Sequence, residues 1–338
     1  MKIIDFIHPY LSISLTNKQE IALKSIIKKN KLKMQIFRHS INLLRFKIIY
    51  ENSSNISKKF LERAFSKIKL RSGHSKLVDI SFNITISPEL CELYGYLSGD
   101  GSVLKVCRFY NGNSIIISRV NYLLRNQFNI KLKYERKTDY FIPKVVQVVL
   151  EEIFGIKGLS REVKVPKIIY QLPKLHQKVY VRALFDTDGC VKNGPPKLTS
   201  KSLNFLRGVR KLLLTKFKIE SRIIGNENTI YDLYIGNGSN HNVFFNTLKF
   251  YEEINFFHPE KKRELEEKIK RRTLYKTLQL VRRNYNTSSI IRDKLNKDWS
   301  TVIEHLNRLQ EFEFLNKIKT NEGNKHIWIV NKSQERKI

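Results

Sequence analysis

LYGYLSGDG, residues 93–101, and VRALFDTDG, residues 181–189, align without a gap, two copies of one pattern 88 residues apart. Each is an apolar helical run that ends on Asp-Gly. A helix C-terminus carries partial negative charge from its unpaired carbonyls, so a carboxylate there is mildly penalised. Glycines inside a helix cost roughly 1 kcal/mol each relative to alanine. The two copies place small residues at matching positions, Gly95 against Ala183 and Gly99 against Thr187. Small residues four apart share one helical face and let two backbones approach closely. Two such helices side by side would bring Asp100 and Asp188 together at one end. That is unfavourable unless a cation lies between them, and hard divalent ions such as Mg2+ take carboxylate and phosphate oxygens together. One Asp-Gly after an apolar helix is ordinarily a helix stop. Two matched copies make coincidence the weaker account.

The segments after the motifs match as well. SVLKVCRFYNGNSIIIS has two apolar runs around Asn111-Gly112 and reads as a hairpin. The helical RVNYLLRNQF, the strand-like IKLKYER and DYFIP, and the helical KVVQVVLEEIFG complete the unit. After the second motif, CVKNGPPKLTS reads as strand, turn, strand. A helix in KSLNFLRGVRKLLLTKF, a hairpin in IESRIIGNENTIYDLYIG and a closing helix in NHNVFFNTLKFYEEI follow. Each half reads αββαββα, an internal repeat. The expected organisation is repeat 1 at 86–157, a linker at 158–172 with Gly158 and Pro166, and repeat 2 at 173–257. Ser87 is the expected N-cap of the first motif helix, with Pro88 at its first position. Residues 1–85 read as a basic, mainly helical region in which Leu23, Ile26 and Ile27 share a face.

Composition narrows the partners. In 338 residues, 63 Lys and Arg stand against 31 Asp and Glu, a net charge of +32. A field of that strength favours a polyanion, whose counterions are released on binding. A merely lysine-rich surface would raise glutamate alongside lysine. The 41% apolar share supports two or three packed domains and excludes general disorder. Cys91, Cys107 and Cys190 form no CxxC pair, so neither a disulfide framework nor a zinc site is indicated. MKIIDFIHPY is interrupted by Asp5 and His8 and lacks a signal-peptide core. With no apolar run of membrane-spanning length, a soluble cytoplasmic protein without a membrane partner is expected.

Residues 258–338 carry a different pattern. HPEKKRELEEKIKRR reads as a charged connector helix. LYKTLQLVRRNY, NTSSIIRDKLN (with Asn286 or Thr287 as cap) and DWSTVIEHLNRLQEF read as three short helices. LNKIK, the turn TNEGNK and HIWIVN read as a hairpin. The order resembles a winged helix-turn-helix domain. In its third helix Val302, Ile303, Leu306 and Leu309 would face inward, leaving Ser300, Thr301, Glu304, His305 and Arg308 for a groove. Lys317, Lys319 and Lys325 would arm the wing. Winged helices also serve as protein-interaction modules, but on a chain this basic DNA is the favoured partner.

The paired motifs resemble those of the LAGLIDADG homing endonucleases in their single-chain, two-motif form, over roughly residues 88–255. The resemblance implies an α+β fold: a pseudo-symmetric tandem αββαββα core whose antiparallel sheets form a saddle over DNA, plus the winged helix domain. It implies that Asp100 and Asp188 hold the catalytic Mg2+ or another divalent metal, with Gly95, Gly99, Ala183 and Thr187 at the helix interface. It further implies a basic residue after each first hairpin, near the metal and its water: Lys201 in LTSKS and Arg119 in IIISRV. A cation there can stabilise charge developing on phosphate; the plain alternative is a pair of ordinary first-turn helix residues. Strand-borne Lys105, Arg108, Lys192 and Lys197 suit a groove-facing surface, as do Lys131, Lys133 and Arg222. Asn111, Asn113 and Asn193 are candidate base readers. Ser98 stands where the motif has an earlier acid, which Asp186 keeps; Ala183 replaces an interface glycine; Tyr94, Tyr96 and Arg182 are bulky.

The leading expectation is a monomeric, free-standing endonuclease that hydrolyses both strands of an asymmetric duplex with Mg2+. The chain lacks Cys or Ser at position 1 and a His-Asn ending, so a self-splicing insert is not expected. Two rivals share the scaffold. One is a non-cutting regulator similar to bacterial sporulation regulators, which join a degenerate LAGLIDADG unit to a helix-turn-helix. The other is an RNA-splicing maturase that takes structured RNA by shape and phosphates. Decay to a regulator usually removes the acids, and here both are present.

Overall fold

The structure, a computed structural model, describes residues 2–3, 11–36, 39–72, 77–102, 107–136, 138–155, 163–192, 194–225, 230–320 and 326–331.

Residues 1–85 depart from the helical expectation. Strands β1 (Leu11–Ser14), β2 (Ser40–Asn42), β3 (Lys67–Ser72) and β4 (Val78–Ser81) pair antiparallel in the order β2-β1-β3-β4. Helices α1 (Asn17–Lys29), α2 (Leu43–Glu51) and α3 (Asn55–Ala64) accompany them. Leu23, Ile26, Phe46 and Leu61 of the helices and Ile13, Ile41, Ile68 and Leu70 of the strands are all buried. The strand signal was hidden in SKKFLERAFSKIKL, where α3 runs almost directly into β3. Only from Lys67 does burial alternate with period two, Lys67 out and Ile68 in, Lys69 out and Leu70 in.

Repeat 1 comprises α4 (Pro88–Asp100), β5 (Gly101–Ser102), β6 (Arg108–Tyr110), α5 (Ser114–Phe128), β7 (Lys133–Arg136), β8 (Asp139–Phe141) and α6 (Lys144–Phe154). Its strands lie in the order β5-β6-β8-β7. Ser87 caps α4, its Oγ accepting the Leu90 N–H at 3.2 Å. The first hairpin is not where the sequence put it. Asn111-Gly112 is the connection from β6 into α5, and the stretch joining β5 to β6 lies outside the described residues. Asn113 Oδ1 accepts the N–H groups of Ile115 and Ile116 at 3.0 and 3.2 Å, which commits SIIIS to a helix. A short apolar run does not distinguish strand from helix by itself.

The region expected as a linker contains α7 (Lys167–Gln171). Gln177 closes it, donating its amide to the carbonyls of Ile169, Tyr170 and Leu172 at 2.9, 3.1 and 2.8 Å. Repeat 2 follows as α8 (Lys174–Asp188), β9 (Gly189–Cys190), β10 (Lys197–Ser200), α9 (Leu203–Phe217), β11 (Ser221–Gly225), β12 (Tyr231–Ile235) and α10 (Asn240–Glu253). Its sheet order, β11-β12-β10-β9, repeats that of the first half. The architecture is α+β, with the two halves built alike.

The remainder is α11 (Pro259–Lys270), α12 (Thr273–Arg282), α13 (Ser288–Leu295), α14 (Trp299–Glu311), β13 (Leu315–Lys319) and β14 (His326–Val330). Val302, Leu306 and Leu309 of α14 are buried, while Ile303 is only half-buried. Trp328 donates its backbone N–H to the Asn286 carbonyl at 2.8 Å and its indole N–H to Ser288 Oγ at 3.2 Å, which ties the hairpin to the start of α13. Two compact units emerge: Met1–Gly189 with Leu198–Leu212 and Ile223–Asp232, and Cys190–Lys197 with Leu213–Arg222 and Leu233–Ile338. Among the described residues no helix is long and apolar enough to cross a membrane.

Candidate metal and nucleic-acid site

Helices α4 and α8 lie side by side in the first unit. A Cβ on Gly95 would stand 2.7 Å from the Tyr180 carbonyl oxygen and 2.8 Å from Ala183 Cβ, closer than real Cβ contacts come. A Cβ on Gly99 would overlap Thr187 Oγ1 and reach within 3.2 Å of Asp188 Oδ2. The Asp188 carboxylate therefore stands beside the residue that precedes Asp100, and the two acids share one end of the pair. The glycines after them are steric necessities too. Gly101 and Gly189 have extended backbones, and a Cβ on either would overlap a carbonyl oxygen four residues back, that of Leu97 or Phe185.

Asp100 Oδ2 accepts a hydrogen bond from Asn111 Nδ2 at 2.6 Å. Asn111 directly follows β6, as Lys201 directly follows β10. The counterpart of Lys201 is thus Asn111, not Arg119, because the hairpin ends before SIIIS begins. Arg119 instead lies inside α5 and grips Glu92, Nε to Oε1 at 3.0 Å and Nη2 to Oε2 at 2.6 Å. Lys201 is exposed, next to Ser202, whose Oγ accepts the Phe205 N–H at 3.2 Å at the start of α9.

Glu92 is a functional candidate that the sequence reading missed. It is 1% exposed, and Arg182 of α8 also reaches it, Nη2 to Oε1 at 3.2 Å. Tyr96, likewise buried, donates its hydroxyl to Asp186 Oδ2 at 3.2 Å across the same interface. Burial, followed by the charges of Asp186 and Glu92, pushes the Tyr96 phenol far above its usual range. The hydrogen bond that Arg119 donates to Glu92 raises the arginine's pKa, so this guanidinium stays charged. Tyr94 stacks on Phe154 at 4.2 Å and on Tyr180 at 5.7 Å between ring centres. The available signal was a glutamate in the middle of an otherwise apolar motif helix.

The cations expected on the sheets have distinct surroundings. Lys197 Nζ and Arg222 Cζ lie 5.6 and 5.9 Å from the centre of the Tyr234 ring, so one aromatic carries two cations. Lys192 is exposed in the β9–β10 turn, which Lys268 holds by donating to the carbonyls of Val191, Lys192 and Gly194, the last two at 2.9 and 3.0 Å. Burial lowers the Lys268 pKa. Arg108 is spent in part on Asp139, Nη1 to Oδ2 at 2.7 Å. Lys131 is exposed in the loop before β7, which Lys133 opens. Asn113 uses its side chain as the α5 cap. Lys105, Asn193 and Lys325 lie outside the described residues.

On α14, Ser300 is exposed and Thr301 half-exposed. His305 does not join them. Its Nδ1 lies 3.2 Å from Oγ1 of the buried Thr277, so the ring turns toward α12, and burial lowers its pKa. A histidine one position before Leu306 sits at the edge of the apolar stripe of the helix, where a neighbouring hydroxyl can capture it. Arg308 pairs with Glu311 at 3.1 Å, and Lys317 Nζ lies 5.5 Å from the Trp328 ring centre.

Residues 176–249, from α8 to α10, match the family model described as a LAGLIDADG-like domain, so the second repeat is a domain of this kind. A DNA polymerase from Thermococcus litoralis is 32% identical over 120 residues, which is 32% of this chain and 7% of that much longer protein. Among solved structures, the chain is similar to I-DmoI in complex with DNA and Ca, with 17% identity, a TM-score of 0.39, and coverage of 53% of this chain and 97% of the other. I-WcaI bound to its DNA recognition sequence gives 18%, 0.38, 54% and 88%. Full-length DUF199/WhiA from Thermatoga maritima gives 15%, 0.35, 68% and 93%.

Proposed function

We propose that the chain is a site-specific DNA endonuclease that hydrolyses both strands of an asymmetric duplex target with a divalent metal, expected to be Mg2+, held by Asp100 and Asp188. The observation that carries this reading is the pair of carboxylates at the shared end of α4 and α8, where Asp188 lies against the bare Gly99 backbone. The LAGLIDADG-like match over residues 176–249 supports it. No group of three or more His, Cys, Asp or Glu that could hold a metal occurs among the described residues. Mg2+ does not need one, because it is commonly held by one or two carboxylates together with substrate phosphates. When bound, such an ion polarises a phosphoryl oxygen and lowers the pKa of water.

The remaining roles fall to the chain's own residues. Asn111 orients the Asp100 carboxylate through its amide. Lys201 offers positive charge to a phosphate that develops negative charge. Lys192, Lys197, Arg222 and Lys131 contact phosphates, as does whatever share of Arg108 is left by Asp139. Residues 273–331 act as a winged helix-turn-helix domain, with Ser300, Thr301 and Arg308 toward the groove and Lys317 on the wing. A monomer suffices, since one chain carries both acids.

Asp100→Asn and Asp188→Asn test this directly. Each is expected to abolish Mg2+-dependent cleavage of genomic DNA while keeping duplex binding. Full cleavage by either variant would sink the two-acid assignment. A non-cleaving DNA-binding regulator is the second reading. Asn111 favours it, because the first half offers a neutral amide where the second offers Lys201. Tight, sequence-selective binding by the wild-type chain, with no cleavage under any divalent metal, would decide for the regulator.

A further inference from the structure

The N-terminal sheet is absorbed by neither repeat, and its two faces differ sharply. One face of β3 is Ile68 and Leu70, both buried, while the other is Lys67, Lys69 and Arg71, all exposed. The cross-strand register places Ser12 beside Arg71, Ser14 beside Lys69, and Ser81 beside Lys67. β3 is an inner strand of the sheet, so this cationic column runs along its middle rather than its edge. Asp79 lies opposite Lys69, but its carboxylate accepts the Asn129 amide at 2.9 Å. Among the described residues none of the three cations forms an ion pair. Residues 1–85 hold 17 Lys and Arg against 5 Asp and Glu.

We propose that this outer face docks the phosphate backbone of duplex DNA, as a contact additional to the repeats. Cations at every second residue recur at about 6.8 Å, so the column spans roughly 14 Å. That length covers about four phosphates of one strand at about 3.4 Å of rise each. Serine hydroxyls beside the cations donate to phosphate oxygens, and their short side chains leave the face flat. The cationic face offers a single strand no ring to stack on. β1–β4 carry no aromatic residue, Phe46, Phe65 and Phe82 are buried, and the exposed Phe60 belongs to α3, whereas single strands are held by bases stacked on exposed rings. With no base-reading array, the contact adds affinity without sequence preference.

The inference rests on the DNA-binding reading, and one titration separates the two. Binding of the full-length chain to a random-sequence duplex is measured against KCl concentration. The triple variant Lys67→Gln, Lys69→Gln, Arg71→Gln should bind at least tenfold more weakly, with a log–log salt slope shallower by about 2 to 3, since each phosphate contact contributes about 0.9. A control triple, Lys28→Gln, Lys31→Gln, Lys33→Gln, removes the same charge from exposed positions on and after α1 and should keep the wild-type slope. Equal weakening by both triples reduces the effect to net charge and overturns the docking face. So does an unchanged slope in the first triple, or a stronger preference for a single strand or an RNA hairpin. A wild-type chain that binds no duplex overturns both readings.

Discussion

The crossing of α4 and α8 makes the same contact twice and fills it in two ways. Position 92 of one helix meets position 182 of the other, and the two-fold mate of that contact joins positions 180 and 94. On the first side Glu92 meets Arg182, with Arg119 completing the ion cluster. On the second side Tyr180 and Tyr94 stack. One turn on, Tyr96 hydrogen-bonds Asp186, while the mate positions hold Leu184 and Ser98, whose hydroxyl turns back to the Tyr94 carbonyl at 2.8 Å. The small residues are unequal as well. α4 is hollow at Gly95 and Gly99, and α8 fills those hollows with Ala183 and Thr187. The contacts fall at matching positions of the two motifs, but their chemistry specifies an unlike pair. Two copies of α4 would set Glu92 against Tyr94 and leave the hollows unfilled. Two copies of α8 would set Arg182 against Tyr180. A buried charge without its partner costs several kcal/mol, so the polar side carries the specificity and the aromatic side carries the packing.

The largest expected effect lies at the hollow. Leucine is a better helix former than glycine by nearly 1 kcal/mol, so Gly95→Leu would stabilise a loosely packed helix. Here its side chain must push against the Tyr180 carbonyl, a backbone atom that cannot rotate away. A net loss of about 3 kcal/mol is expected, at the upper end of ordinary overpacking, read as a lower thermal midpoint. A more stable variant would break the close approach.

Next comes the ion cluster. Glu92→Leu leaves Arg119 and Arg182 facing an apolar side chain. Breaking a buried pair typically costs about 3–5 kcal/mol. The arginine side chains keep 25% and 21% of their exposure, so water recovers part of that cost. A loss of about 2–3 kcal/mol in urea unfolding is expected. A neutral result would mean that the polar and aromatic sides of the crossing are interchangeable. Tyr96→Phe is smaller. It removes one donor from Asp186, which is 2% exposed, at about 1–2 kcal/mol.

These contacts also mark the limit of what the sequence alone displays. The repeat was legible because two stretches reported one fold, each with small residues four apart, Asp-Gly and a following sheet. Gly101 and Gly189 were visible as a pattern, though their cause, the Leu97 and Phe185 carbonyls, was not. The N-terminal sheet was lost because its strands are three to six residues long within lysine-rich helices. Glu92 and Arg119 lie 27 positions apart, and their pairing depends on α5 crossing α4. His305 shows the same limit at finer grain, since a small rotation about the helix axis separates an exposed side chain from one captured by Thr277.

The smallest predicted effect is the most selective. If Gly95 and Ala183 share one space, moving the methyl group from one helix to the other should cost less than the two steps taken separately. Gly95→Ala adds a Cβ 2.8 Å from Ala183 Cβ and 2.7 Å from the Tyr180 oxygen. Ala183→Gly removes the first of these obstacles and leaves the second. The two changes also cancel in helix propensity, at roughly 1 kcal/mol each way. The double variant should therefore be less destabilised than the sum of the singles by about 1 kcal/mol, within the usual range for residues in contact. Purely additive losses would show that the two positions do not touch. Full recovery would show that the Tyr180 carbonyl yields, and that the hollow in α4 is wider than the packing of Ala183 requires.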